Sequence, residues 1–137
     1  MNSLLHVSSR QHAGLILMAE LAKAEPLAFV SLGEIAKSMS LSQGYLEEIA
    51  ASLRAASLIE GRKGPAGGYR LTRSADQISM NDVALALEGP VQAVPCHGDT
   101  CPVSAHCSSK HWWDFLRDHV SDALKTTTLQ DVITQKS

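Results

Sequence analysis

A chain of 137 residues with 45% hydrophobic and 19% charged residues can bury one core, and its composition is that of a helix-rich globular protein rather than a disordered chain. The formal net charge of -2 excludes a polycation, so any hold on nucleic acid has to come from a local patch. The strongest apolar window, Ala13 to Ala24, is broken by Glu20 and Lys23 and is short of the roughly 20 apolar residues that span a bilayer, and the start lacks the pattern of a secretory signal; a cytoplasmic protein without membrane contact is expected.

From Ser8 or Ser9 to Lys23, apolar residues at Ala13, Ile16, Leu17, Ala19, Leu21 and Ala22 fall at helical spacing, and Glu25-Pro26 ends that helix. A short extended piece, Leu27 to Val30, leads to Ser31, which with Glu34 three places on predicts a capping box and a short helix to about Met39. Ser40-Leu41-Ser42 makes a tight connection into a helix over Gln43 to Ser57, whose apolar face is Leu46, Ile49, Ala50 and Leu53. Two short helices joined by a polar turn form a helix-turn-helix candidate. Leu58 to Glu60 and Tyr69 to Thr72 are β-compatible, and the Gly- and Pro-rich run between them predicts a hairpin. Ser79 to Asp82 predicts a second capping box and a helix to Glu88, stopped by Gly89-Pro90. Ser108 or Ser109 is expected to cap a long helix with an apolar stripe of Trp112, Phe115, Leu116, Val120, Ala123 and Leu124, long enough to suggest a partner helix. Thr128 to Asp131 offers a cap for a last short turn.

Two regions carry chemistry. In a helix-turn-helix the second helix presents its N-terminal residues to the major groove. Those positions are Ser42, Gln43, Gly44 and Tyr45; Gln43 suits bidentate contact with adenine, and Glu47 and Glu48 are expected to face solvent or accept from cytosine. The hairpin that follows holds Arg62, Lys63, Arg70 and Arg73 with no acid between Gly61 and Arg73. Such cations would neutralise phosphates, and as a wing the segment from Arg62 through Gly67 and Gly68 to Tyr69 would reach the minor groove.

The second region runs from Pro95 to Trp113 and holds all three cysteines, Cys96, Cys101 and Cys107, with four and five residues between them. In a reducing compartment, clustered thiols favour metal or redox chemistry over a structural disulfide. Structural zinc sites pair their ligands more closely and in two separated halves, so this spacing suits a loop around an iron-sulfur cluster at least as well as zinc or a thiol switch. His97, His106 and His111 are possible fourth ligands. A small enzyme pairing a Cys nucleophile with a His base is the weaker alternative, since no third orienting residue is evident, and the chain is read as a non-enzyme.

These segments together resemble the Rrf2-type transcription regulators, and within them the iron-sulfur branch that includes IscR and NsrR. The resemblance rests on Ser42-Gln43-Gly44-Tyr45-Leu46, similar to the family's S-x-x-Y-L recognition helix; on Leu53-Arg54-Ala55-Ala56-Ser57-Leu58-Ile59, like its L-x-x-A-G-L-V; on Gly64 to Leu71, like its G-x-x-G-G-Y-x-L wing; and on the cysteine triplet. It runs nearly end to end. What it implies is a mainly α, winged helix-turn-helix fold with a small β-hairpin wing and a long C-terminal dimerisation helix, divided into a DNA-binding unit over 1–78 and a sensor loop with dimer helix over 79–137. It further implies a homodimer on double-stranded operator DNA, contacted through Ser42, Gln43, Gly44, Tyr45, Arg54, Arg62, Lys63, Gly67, Gly68 and Tyr69. The cofactor implied is an iron-sulfur cluster, 2Fe-2S ahead of 4Fe-4S, on Cys96, Cys101 and Cys107. The family's His ligand position falls on Lys110, which carries the role to the neighbouring His111, with His12 of the partner subunit as second candidate.

Overall fold

The computed structural model of the protein describes residues 8–26, 28–89, 102–103 and 105–134. The first helix, α1 (Ser9–Lys23), opens at Ser8, whose hydroxyl accepts from the Gln11 backbone N–H at 3.1 Å. It is followed by α2 (Leu32–Met39) and α3 (Gln43–Ala55), the two arms of the helix-turn-helix. Ser31 caps α2 through the Gly33 N–H at 3.2 Å rather than through Glu34, so the expected reciprocal box is a single bond there.

Both arms end on a serine in the left-handed region, Ser40 at φ 55° and Ser57 at φ 62°. After α3, the Ser57 N–H donates to the Arg54 carbonyl at 2.9 Å and the Leu58 N–H to the Leu53 carbonyl at 3.0 Å, the paired bonds of a Schellman motif. Leu53 and Leu58 are both buried beside that turn. This is why α3 stops at Ala55, two residues before the expected Ser57.

The hairpin consists of β1 (Ile59–Arg62) and β2 (Gly68–Leu71), antiparallel, with Ile59 opposite Leu71 and Arg62 opposite Gly68. Val30 joins as a third, one-residue rung: its N–H donates to the Tyr69 carbonyl at 2.8 Å and its carbonyl accepts from the Tyr69 N–H at 2.9 Å. Gly68 is required at that rung, because its φ is 141° and a side chain there would collide with the Val30 carbonyl.

A 3-10 turn (Ala75–Gln77) leads into α4 (Met80–Glu88), where the Ser79/Asp82 capping box forms in both directions at 3.0 Å each. Gly89 ends the helix. α5 (Lys110–Thr126) is preceded by Ser109, which makes no side-chain cap; its hydroxyl instead accepts from Trp113 Nε1 at 3.1 Å. α6 (Leu129–Thr134) opens with a reciprocal pair, Thr128 N–H to Asp131 at 2.9 Å and Asp131 N–H to Thr128 at 3.1 Å.

One core holds these parts together. Leu17 and Met18 of α1, Leu46, Ile49 and Leu53 of α3, Ile59 of β1, Ile78 and Leu129 are the large side chains removed from solvent. Each such side chain contributes about 1.5–3 kcal/mol by leaving water. Leu129 lies on the last helix, so the chain returns from α5 to the core it started with, held by the Leu129 N–H to the Ile78 carbonyl at 2.8 Å. α5 has no buried residue, and Trp112 and Phe115 stay about half exposed at 52% each.

Candidate nucleic-acid interface and sensor segment

The N-terminus of α3 and the wing lie side by side, and an open groove between them is lined by Ser31, Gln43, Glu47, Gly64, Gly67 and Gly68. Ser42 is the helix cap, its hydroxyl accepting from the Tyr45 N–H at 3.3 Å, which leaves Gln43 and Gly44 as the exposed first residues. Tyr45 is half-buried, packs on the core, and brings its hydroxyl within 3.5 Å of Ser9 Oγ, so it is turned toward α1. Glu47 shares the groove with Gln43 instead of pointing away from it. Glu47 is also exposed, as the solvent-facing reading expected. Arg54 is exposed in the last turn of α3.

The four cations of the hairpin are not equivalent. Arg70 Nε lies 2.6 Å from Glu60 Oε1 across the strands, and Arg73 Nη2 lies 3.4 Å from Asp82 of α4 while its Nε donates to the Gln77 carbonyl. The acids come from outside the Gly61–Arg73 window, so part of the patch is neutralised by neighbours that the linear sequence kept apart. Arg62 donates to the neutral Ala66 carbonyl at 3.1 Å, and Lys63 is exposed at the tip. Phe29 was not among the expected site residues, yet the guanidinium carbons of both Arg62 and Arg70 lie 4.5 Å from its ring centroid. The sequence held one signal of it, an aromatic in the short extended piece that faces the hairpin.

Arg10 is a second residue that was not among the expected site residues. Its Nε donates to the Leu87 carbonyl at 3.0 Å, and its Nη2 donates to the hydroxyl of Ser52 on α3. Beside it, Gln11 Nε2 donates to the Ala84 carbonyl at 3.2 Å. The last turn of α4 leaves carbonyls without helical partners, and a charged donor there is favoured by the helix dipole as well as by the bond. α1 therefore grips the end of α4 and the last turn of α3 with one side chain.

Cys96 and Cys101 lie outside the described residues, as does His97. Cys107 is half-buried three residues before α5, with Sγ 3.4 Å from Ser109 Oγ. The Ser109 hydroxyl, helped by backbone hydrogen bonds at Ser109 and Lys110, holds the Cys107 thiol below the ordinary cysteine range. His106 and His111 are exposed, His111 in the first turn of α5, and His12 is exposed on α1. Lys110, which stands at the family's His position, gives its Nζ to Asp114 Oδ2 at 2.9 Å. That bond draws the Asp114 carboxyl below its usual range, with Arg117 adding to it. Among the described residues no group of three or more His, Cys, Asp or Glu side chains converges as a metal cage. Nor, among them, is any helix long and apolar enough to cross a membrane.

Comparison with known proteins decides the family. The Rrf2 profile, described as an iron-dependent transcriptional regulator, matches residues 7–135. The chain belongs to the Rrf2 family. The HTH-type transcriptional regulator CymR of Bacillus subtilis is 35% identical over 128 residues, covering 93% of this chain and 89% of the relative. Its structure, titled as that of the global cysteine regulator, superposes with a TM-score of 0.82 at 34% identity and covers 97% of this chain and 99% of that one. The HTH-type transcriptional regulator IscR of Cereibacter sphaeroides is 31% identical over 135 residues, covering 94% and 87% of the two chains. The T. potens IscR structure gives a TM-score of 0.75 at 32% identity, covering 94% and 86%. This Rrf2 protein is thus a transcriptional regulator with a winged helix-turn-helix fold, mainly helical with a two-stranded antiparallel hairpin. Its relatives include proteins of both the CymR and the IscR name.

Proposed function

We propose that this Rrf2 protein is a cytoplasmic homodimer that binds operator DNA through α3 and the wing, with an affinity set by an iron-sulfur cluster. Gln43 and Glu47 would meet base edges from the groove side of α3, while Arg62, Lys63 and Arg54 take phosphates or the minor groove. Gly67 and Gly68 keep the wing backbone close to its partner, with Tyr69 fixing the third rung. The half-exposed ring series on α5, with Trp112 to Phe115 centroids 5.9 Å apart and Phe115 to His119 4.0 Å, is the surface that a second copy would cover.

Cys96, Cys101 and Cys107 would hold the cluster, with His111 or His12 of the partner subunit completing the set. Cys107 fits the role: its thiol is held toward the thiolate form that ligates metal, and it is not fully buried. When bound, the cluster supplies a centre that responds to iron supply, redox state or nitric oxide.

The observation that carries this reading is the Arg10 bridge between Leu87 and Ser52. Leu87 is in the last turn of α4, from which the cysteine segment departs, and Ser52 is on the recognition helix. A shift at the end of α4 would therefore reach α3 through this side chain as well as through the direct packing of α4 on α3, and regulation requires such a link to have two states. In vitro selection of genomic DNA fragments by anaerobic, cluster-loaded protein and by cluster-free protein tests it. The reading expects different fragments, or the same ones at clearly different affinity; identical selection by both forms would refute it.

A second reading keeps the DNA head and replaces the cluster by a thiol switch or zinc. The lowered Cys107 thiol favours a reactive cysteine, and the likeness to CymR, a cysteine regulator by title, points the same way. Iron, sulfide and zinc content of anaerobically purified protein separates the two.

A further inference from the structure

We propose that Phe29 is a positioning residue for DNA binding: its ring holds the Arg62 guanidinium in place on the wing, although Phe29 need not touch DNA itself. The inference rests on the reading of the hairpin as a DNA-contacting wing. Arg62 and Arg70 project from the same face of the hairpin, because Arg62 pairs with Gly68 and Glu60 with Arg70, making the two arginines diagonal neighbours. Two like charges at that spacing repel each other, yet both guanidinium carbons lie 4.5 Å from the centroid of one ring. The electron-rich face of an aromatic ring attracts such cations and offsets the repulsion.

The two are held differently. Arg70 has its charge answered by Glu60 at 2.6 Å, whereas no acid pairs with Arg62 among the described residues, only the neutral Ala66 carbonyl at 3.1 Å. Arg62 is thus the cation whose charge is available to a phosphate or a narrow minor groove, and Phe29 is what restricts its rotamers before DNA arrives. The ring is itself well anchored. Val30, the next residue, exchanges two backbone hydrogen bonds with Tyr69 at 2.8 and 2.9 Å, so Phe29 is tied to the wing rather than to a free loop. A restricted arginine loses less freedom on binding than a mobile one, which raises affinity without adding a contact.

The test is fluorescence anisotropy of the full chain on a mixed-sequence DNA duplex of roughly three helical turns at several salt concentrations. Phe29→Ala and Phe29→Leu are expected to weaken binding by about fivefold per head, the size of an exposed cation–ring contact, and to lower the salt slope. Phe29→Trp should restore affinity to within about twofold, because indole offers the best face for a cation. Adding Phe29→Leu to Arg62→Ala should cost nothing beyond Arg62→Ala alone. Phe29→Leu keeps the apolar bulk, so wild-type binding by that variant would overturn the proposal, as would additive effects in the double variant. If Arg62→Ala itself binds like wild type, the wing reading falls and the proposal with it; if Arg62→Ala weakens binding and Phe29→Leu does not, the proposal alone falls.

Discussion

Gly14 of α1 and Leu87 of α4 are in such close contact that a β-carbon on Gly14 would overlap the Leu87 side chain. Glycine in mid-helix costs about 1 kcal/mol relative to alanine, so its presence there marks close helix packing and not local preference. Leu87 is buried and has little room to move aside. Gly14→Ala should therefore destabilise the fold by roughly 1–2 kcal/mol, overpacking outweighing the gain in helix propensity. Chemical denaturation checks this, and Leu87→Ala in the same chain should recover part of the loss.

The same α1–α4 contact is locked by Arg10. Removing its guanidinium leaves the Leu87 carbonyl without that charged donor and Ser52 without its partner. Arg10→Ala is expected to cost about 1.5–3 kcal/mol in unfolding free energy. More tellingly, the difference in DNA affinity between cluster-loaded and cluster-free protein should shrink, because the end of α4 would be joined to α3 by apolar packing alone and no longer by the Arg10 bridge. Arg10→Lys, which cannot bridge both groups in the same fork, should behave like Arg10→Ala in that comparison.

Serines in the left-handed region end both arms of the helix-turn-helix, at φ 55° for Ser40 and 62° for Ser57. A left-handed side-chain residue costs roughly 1–2 kcal/mol, and glycine there returns part of the gain as freedom of the unfolded chain. Ser57→Gly, which restores the A-G-L pattern of the family, should raise stability by about 0.5–1 kcal/mol, read as a higher urea midpoint with an unchanged slope.

The lowered thiol of Cys107 predicts a pH signature. Deprotonation occurs below the ordinary thiol range, so in a cluster-free variant retaining Cys107 as its sole cysteine, alkylation by iodoacetamide should reach half its limiting rate at lower pH than for a small thiol. Ser109→Ala removes the largest cause of the shift and should move that midpoint upward. An unmoved midpoint would mean that the Ser109 contact does not set the reactivity.

Much of this was legible in the sequence because it is local. The Ser79/Asp82 box, the Gly89 stop and the turn between α2 and α3 depend on residues within four positions of one another, and all appear as expected. The hairpin did too, with shifted ends: β1 starts one residue late because Leu58 completes the cap of α3, and it runs on to Arg62, while β2 lies one residue earlier than expected. What could not be read were the relations made by tertiary packing. Glu60 and Asp82 reach into a run that holds only cations, and Phe29 meets arginines more than thirty positions away. Ser109 likewise caps nothing, since Trp113 and Cys107 compete for its hydroxyl. Leu129 returns to a core begun at Ala13, which periodicity cannot foresee.

The most direct test of the central claim is the visible spectrum and the iron and sulfide content of anaerobically purified protein, compared with Cys96→Ala, Cys101→Ala and Cys107→Ala. The account predicts sulfur-to-iron charge-transfer absorption with matching iron and sulfide in the native chain, lost in each variant. Colourless native protein free of iron, prepared with iron and sulfide supplied, would contradict it.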